Sequence, residues 1–210
     1  RRRRMADAEP WTEHQVRVFQ EQNEVAPRNP RELFELTCDR VLDIKDWVET
    51  GEDSPRNDLH SESLERDVRV WVARKLREKS YGLYAVPEEQ ELASGKRQDI
   101  RIVAPEVPGP VVIEVKQIEG WSYADLRERL DNQLIGDYLA ADNARFGIYL
   151  ISYTGHSGRG SGGDDPTTGR RLTLSEIVQN LQQLADAIVE SKSGVEQVNV
   201  ISIDFVGNAT

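Results

Sequence analysis

Asp99-Ile100-Arg101-Ile102-Val103, followed after a Pro- and Gly-rich break by Val111-Val112-Ile113-Glu114-Val115-Lys116, decides how this chain is read. Both runs are apolar and rich in β-branched residues. Pro105, Pro108, Gly109 and Pro110 separate them, so the pattern predicts two strands, over 98–104 and 110–116. Side chains alternate across a strand, which puts Glu114 and Lys116 on one face with Val112 while Ile113 and Val115 point the other way. A carboxylate and an ammonium on one face of an otherwise apolar strand cost desolvation energy unless something binds them. If the two strands form a hairpin, Asp99 comes to the Glu114 end. Two carboxylates converging there repel each other unless a cation sits between them, and oxygen donors of this kind suit Mg²⁺ or Mn²⁺. The bland alternative is a salt-bridged Glu114–Lys116 pair on an exposed edge strand, with Asp99 as a turn residue.

Outward from this stretch, Ser61 or Ser63 offers a cap for a helix with Leu64, Val68, Trp71, Val72 and Leu76 on one face. After Tyr81-Gly82, residues 83–92 read as a further strand. Downstream, 122–141 reads as a helix that buries Leu126, Leu130, Leu134 and Ile135. Phe146 to Tyr153 is near-continuously apolar, as in a strand covered on both faces. A polar Gly/Ser/Asp-rich loop, Gly155 to Gly169, leads to a helix over 173–191 and an alternating strand over 198–205. Nearer the N-terminus, Asn29 is placed to cap a helix that starts with Pro30 and carries Leu33, Leu36, Val41, Ile44 and Val48. Residues 1–57 therefore read as a helical segment and linker, either an appendage or the tail of a neighbouring domain, ahead of a domain over 58–210. Arg1 to Arg4 precede Met5 and read as appended sequence or the cut end of a longer chain. A native basic arm is the alternative.

The 210 residues, 38% hydrophobic and 30% charged, are enough for one cored domain beneath a heavily solvated surface. No apolar run is long enough to span a bilayer and no secretory signal is seen, so no membrane partner is expected. Cys38 is the only cysteine, which excludes an intrachain disulfide and a thiolate metal cluster and fits a cytoplasmic location. His14, His60 and His156 stand in no zinc spacing. A net charge of −10 argues against broad adhesion to nucleic acid, but not against a local basic rim around an acidic metal site.

Gln98-Asp99 followed fifteen residues after the Asp by Glu114-Val115-Lys116 resembles the PD-(D/E)xK nuclease superfamily, with Gln98 standing where the nominal proline would be. The resemblance covers about residues 61–153 and implies an α/β fold with a restriction-endonuclease-like αβββαβ core. In that core a mixed central sheet is flanked by helices, preceded here by the N-terminal helical segment. It implies Mg²⁺, with Mn²⁺ as a substitute, held by Asp99, Glu114 and the carbonyl of Val115, with Lys116 beside the attacking water. It also points to an acidic residue on the first helix (Glu65, with Glu62 as the alternative) and to Gln133 and Tyr138 on the helix after the ExK strand. Their spacing differs from the usual four residues. Gln117 is a further candidate for the metal shell.

The function this implies is hydrolysis of phosphodiester bonds by a DNA endonuclease. The overall pattern is similar to nuclease modules at the C-terminal end of large bacterial proteins, some of them implicated in defence against phage. A homodimer is compatible with the resemblance. Lys96, Arg97, Arg101 and Arg127, with Arg129 and Arg145, are placed to guide a phosphate backbone, and Arg159, Arg170 and Arg171 flank the Gly-rich loop. Trp121 and Tyr123 either stack on a base or pack the start of the helix. Two alternatives stay open: an inactive nuclease-fold binding or assembly module, and a nuclease directed at RNA.

Overall fold

The computed structural model describes residues 11–16, 25–59, 63–87, 99–141, 144–155 and 169–207. Helix α1 (Pro30–Thr50) starts as its sequence dictates: the Asn29 side chain accepts from Glu32 N at 3.0 Å, and proline occupies the first turn, where no backbone donor is needed. Helix α2 (Glu65–Glu78) is capped differently from expectation. Its N-cap position is Leu64, whose N–H donates to Asp67 Oδ2 at 2.9 Å. Ser63 instead turns its carbonyl toward Gln117, and Ser61 lies outside the described residues.

Strands β1 (Ile100–Ile102), β2 (Val111–Gln117), β3 (Phe146–Tyr153) and β4 (Gln197–Asp204) form one sheet in the order β1-β2-β3-β4. β1 runs antiparallel to β2, and β2, β3 and β4 are parallel to one another, so the fold is α/β with a mixed sheet. The strand expected over 83–92 contributes only an isolated bridge, Ala85 to Val103, in its described part. Pro87, two residues on, has no N–H to continue a ladder, and 88–92 lie outside the described residues.

The sheet is covered on both faces. Val111, Ile113 and Val115 of β2 and Phe146, Ile148 and Leu150 of β3 share one apolar cluster with Leu33, Phe34, Val41 and Ile44 of α1 and Val68, Trp71 and Val72 of α2. Val112, Tyr149 and Ile151 face a second cluster built from Leu126, Leu130, Leu134, Ile177 and Leu181. Expected as an appendage, α1 is thus one of the two helices that close the first face. Its periodic apolar residues meet the sheet, and the ring of Phe34 stacks on that of Phe146 at 5.1 Å.

The helix expected over 122–141 is a composite. An α-helical start, α3 (Tyr123–Glu128), passes into a ten-residue π-helix (Arg129–Tyr138) and a final α turn (Leu139–Ala141). The buried residues Leu126, Leu130, Leu134 and Tyr138 repeat every four positions. That interval falls between the α-helical turn and the wider i→i+5 turn. Gly136 also favours this turn, since a Cβ there would stand 3.1 Å from the Asp131 carbonyl oxygen. Helix α4 (Leu174–Ser191), with Thr173 accepting from Glu176 N at 3.2 Å, completes the second face.

Candidate functional site

The β1–β2 register pairs Ile100 with Ile113, which brings Asp99 beside Glu114 one step further along. Asp99 then continues the ladder with its side chain: Oδ2 accepts from Val115 N at 2.8 Å where β1 has ended. Its other oxygen accepts from Arg69 Nη1 at 3.0 Å. Glu114 and Lys116 share the face opposite Ile113 and Val115, as strand alternation requires, and both are buried, Glu114 completely.

Lys116 Nζ lies 2.5 Å from Glu114 Oε1 in an ion pair that does not meet hydrogen-bond geometry. Among the described residues neither oxygen of Glu114 accepts a hydrogen bond. The expectation of a surface pair on an edge strand is therefore not met. β2 lies inside the sheet, between β1 and β3.

Glu65, in the first turn of α2, reaches this group. Its Oε1 lies 3.3 Å from Lys116 Nζ, and its Oε2 accepts from Gln117 N at 3.2 Å and from Trp121 Nε1 at 2.6 Å. Glu65 and Arg69 stand four residues apart, one helical turn, on the same side of α2. That helix thus sets a carboxylate against the lysine and a guanidinium against the aspartate. Glu62 lies outside the described residues.

Burial and like charge act together on the acids. Glu114 is pushed up to about 8, first by burial and then by the Asp99 carboxylate, with Lys116 pulling the other way. Burial likewise raises Asp99, against the opposing effects of Lys116, the Val115 N–H and Arg69. For Lys116, burial works against the charge, but Glu114, Glu65 and Asp99 more than offset it, so the ammonium is held above its ordinary value. Lys116 is a cation at neutral pH.

The π-helix accounts for Gln133 and Tyr138. A five-residue interval separates them, and the i→i+5 turn aligns such pairs: Gln133 Nε2 donates to Tyr138 Oη at 2.7 Å. Tyr138 is buried, and its hydroxyl is raised first by burial and further by the Glu114 and Asp99 carboxylates, which marks it as a neighbour of the site. Tyr138→Phe is expected to cost about 1 kcal/mol of stability through the lost hydrogen bond, read as a shift of the thermal midpoint.

Other candidates are placed elsewhere or otherwise engaged. Gln117 is held away from the carboxylates, its amide donating to Ser63 O at 2.8 Å and to Thr154 Oγ1 at 2.6 Å. Arg101 is half-buried on the face of Val112, two residues from Asp99. Arg127 is exposed over the ring of buried Tyr123 at 5.9 Å, and Arg129 covers Trp121 at 5.1 Å. Arg145 pairs with Glu196 at 2.9 Å and Arg170 with Glu176 at 2.6 Å. Lys96, Arg97 and Arg159 lie outside the described residues.

Two contributors went unread in the sequence. Arg69 carried one signal, its i,i+4 relation to Glu65. Trp121 was read as a stacking or packing residue, yet its indole N–H fixes Glu65 while its ring lies 5.3 Å from Lys116 Nζ.

Among the described residues no three His, Cys, Asp or Glu side chains form a metal-holding group. Two carboxylates converge, and two internal cations stand beside them. The fit to a divalent ion rests on Glu114, a fully buried carboxylate with Lys116 as its one close cation among the described residues, next to a second carboxylate and with only oxygen to offer. Set against known protein families, curated proteins and solved structures, the chain matches none of them.

Proposed function

We propose that the chain is a divalent-metal-dependent nuclease that hydrolyses phosphodiester bonds in DNA, with Asp99 and Glu114 as metal ligands and Lys116 beside the reacting phosphate. The observation that supports this best is the Glu114 carboxylate, which is completely buried beside a second carboxylate and is partnered among the described residues by the Lys116 ammonium alone. An anion in that position is costly by itself, and a hard cation offsets the cost. The same residues carry the resemblance to the PD-(D/E)xK superfamily, and a mixed sheet with helices on both faces fits its restriction-endonuclease-like core.

Bound Mg²⁺ or Mn²⁺ would supply Lewis acidity and a water of lowered pKa. The chain's own residues divide the remaining work. Lys116, cationic in the metal-free protein, is placed to offset charge developing on the phosphoryl oxygens. Glu65, fixed by Trp121 and the Gln117 N–H, holds the ammonium in place. The Val115 N–H fixes Asp99, and the Val115 carbonyl, a third candidate ligand, points to the same side of the strand.

Incubation of supercoiled plasmid with Mg²⁺ or Mn²⁺ tests the proposal directly. Nicking is expected only with metal, and Glu114→Ala and Lys116→Ala are each expected to lose roughly a hundredfold or more of the rate. The net charge of −10 favours a second reading, a binding or assembly module that uses the same fold without cleavage. Absence of cleavage of both DNA and RNA by folded wild type would favour that module. Competition between DNA and RNA substrates separates the two nuclease readings.

A further inference from the structure

The two prospective ligand carboxylates are not in the same condition. Glu114 is paired among the described residues with the Lys116 ammonium alone, at one oxygen, whereas both oxygens of Asp99 are occupied, one by the Val115 N–H and the other by Arg69. Asp99 is nearly enclosed, its side chain 10% exposed, and that of Arg69, in contact with it at 3.0 Å, is 20% exposed. The neighbouring chemistry sharpens the contrast. Counting Glu65, Asp99 and Glu114 against Arg69 and Lys116, three carboxyl groups meet two cations. Lys116 pairs with Glu114 and Glu65 and acts on Asp99 through its charge, while Arg69 is the cation in direct contact with Asp99.

We infer that Arg69 is an internal stand-in for the metal: its guanidinium holds Asp99 in the metal-free protein and must leave when a divalent ion is taken up. This rests on the proposed metal site. Direct replacement is one route. If the ion instead uses the second lone pair of Asp99 Oδ1, two cations stand within a few ångströms of each other and repel. In either geometry Arg69 opposes metal binding. Once displaced from Asp99, the guanidinium is beside the site, where the donors that Asp99 held can turn to a phosphate group. Metal and nucleic-acid phosphate then assist each other, because the phosphate takes up the group that the metal has displaced.

The test is Mn²⁺ affinity, read from the free-ion electron paramagnetic resonance signal during titration, for wild type, Arg69→Gln, Arg69→Lys and Asp99→Asn. Arg69→Gln removes the competing charge and is expected to bind Mn²⁺ roughly tenfold more tightly or better. Arg69→Lys keeps the charge and is expected to stay near wild type, while Asp99→Asn binds much more weakly. Arg69→Met, which preserves the packing of the stem, repeats the neutral measurement should glutamine disturb the fold. Equal affinity in wild type and both neutral variants, with Asp99→Asn still weakened, overturns the inference and leaves the metal site standing. Equal affinity in wild type and Asp99→Asn overturns both, since the ion then does not bind at Asp99.

Discussion

Lys116→Met is expected to lower stability by about 3–5 kcal/mol above pH 8, and adding Glu114→Gln in the same chain is expected to restore most of that loss. Lys116 and Glu114 are both buried and pair at 2.5 Å, so removing the lysine leaves a carboxylate that neither water nor a donor among the described residues can solvate. Glutamine in place of the glutamate removes the stranded charge. The pH dependence follows from the direction of the shift. Glu114 is raised from 4.5 to about 8, so the folded protein binds a proton there that the unfolded chain has already lost. Stability contributed by this group is full below pH 4.5 and is lost as pH rises toward 8. Asp99, also raised, acts with the same sign.

The cost of Lys116→Met should accordingly be small at pH 5 and large at pH 9, while Glu114→Gln alone flattens the slope between them. Urea denaturation of the four proteins at the two pH values checks this. A Lys116→Met loss below 1 kcal/mol at both would mean that the pair is not buried as described.

Phe146→Ala is expected to cost about 3–5 kcal/mol, the range for deleting a buried phenyl ring. The ring is 1% exposed on β3, stacks on Phe34 of α1 at 5.1 Å and has the Arg31 guanidinium 5.6 Å from its centroid. Because α1 supplies part of the same core as the strands, the variant should still unfold in a single transition, only earlier. Tryptophan fluorescence is a suitable probe: Trp47 of α1 stacks on Trp71 of α2, which meets Phe205 edge-on at 5.3 Å. Coincident fluorescence and circular dichroism midpoints are expected. A fluorescence transition that precedes the loss of sheet signal would show that α1 comes away independently.

Local periodicity made much of this legible. The alternation of β2 put Glu114 and Lys116 on one face, and the Asn29-Pro30 start of α1, the apolar run of β3 and the alternating β4 all emerged close to their expected bounds. What escaped was tertiary. Nothing in the apolar face of α1 says whether it covers this sheet or another partner. Arg69 meets Asp99 only because α2 reaches the hairpin where β1 stops. The π-helix was misread because an apolar residue at every fourth position is compatible with an α-helix until the fifth-residue partner, Tyr138, is seen to bond with Gln133.

The bond from the Val115 amide to Asp99 has a spectroscopic consequence. A strand amide that donates to a side-chain carboxylate instead of to a neighbouring strand reads the electronic state of that carboxylate directly. Its nitrogen and proton resonances should move when Asp99 gains a proton, loses the guanidinium or takes up a diamagnetic ion such as Mg²⁺. The amides of Ile148 and Leu150, inside the ladder of β3, should stay still. One backbone signal in the middle of β2 would thus report occupancy of the site in solution, without substrate and without turnover.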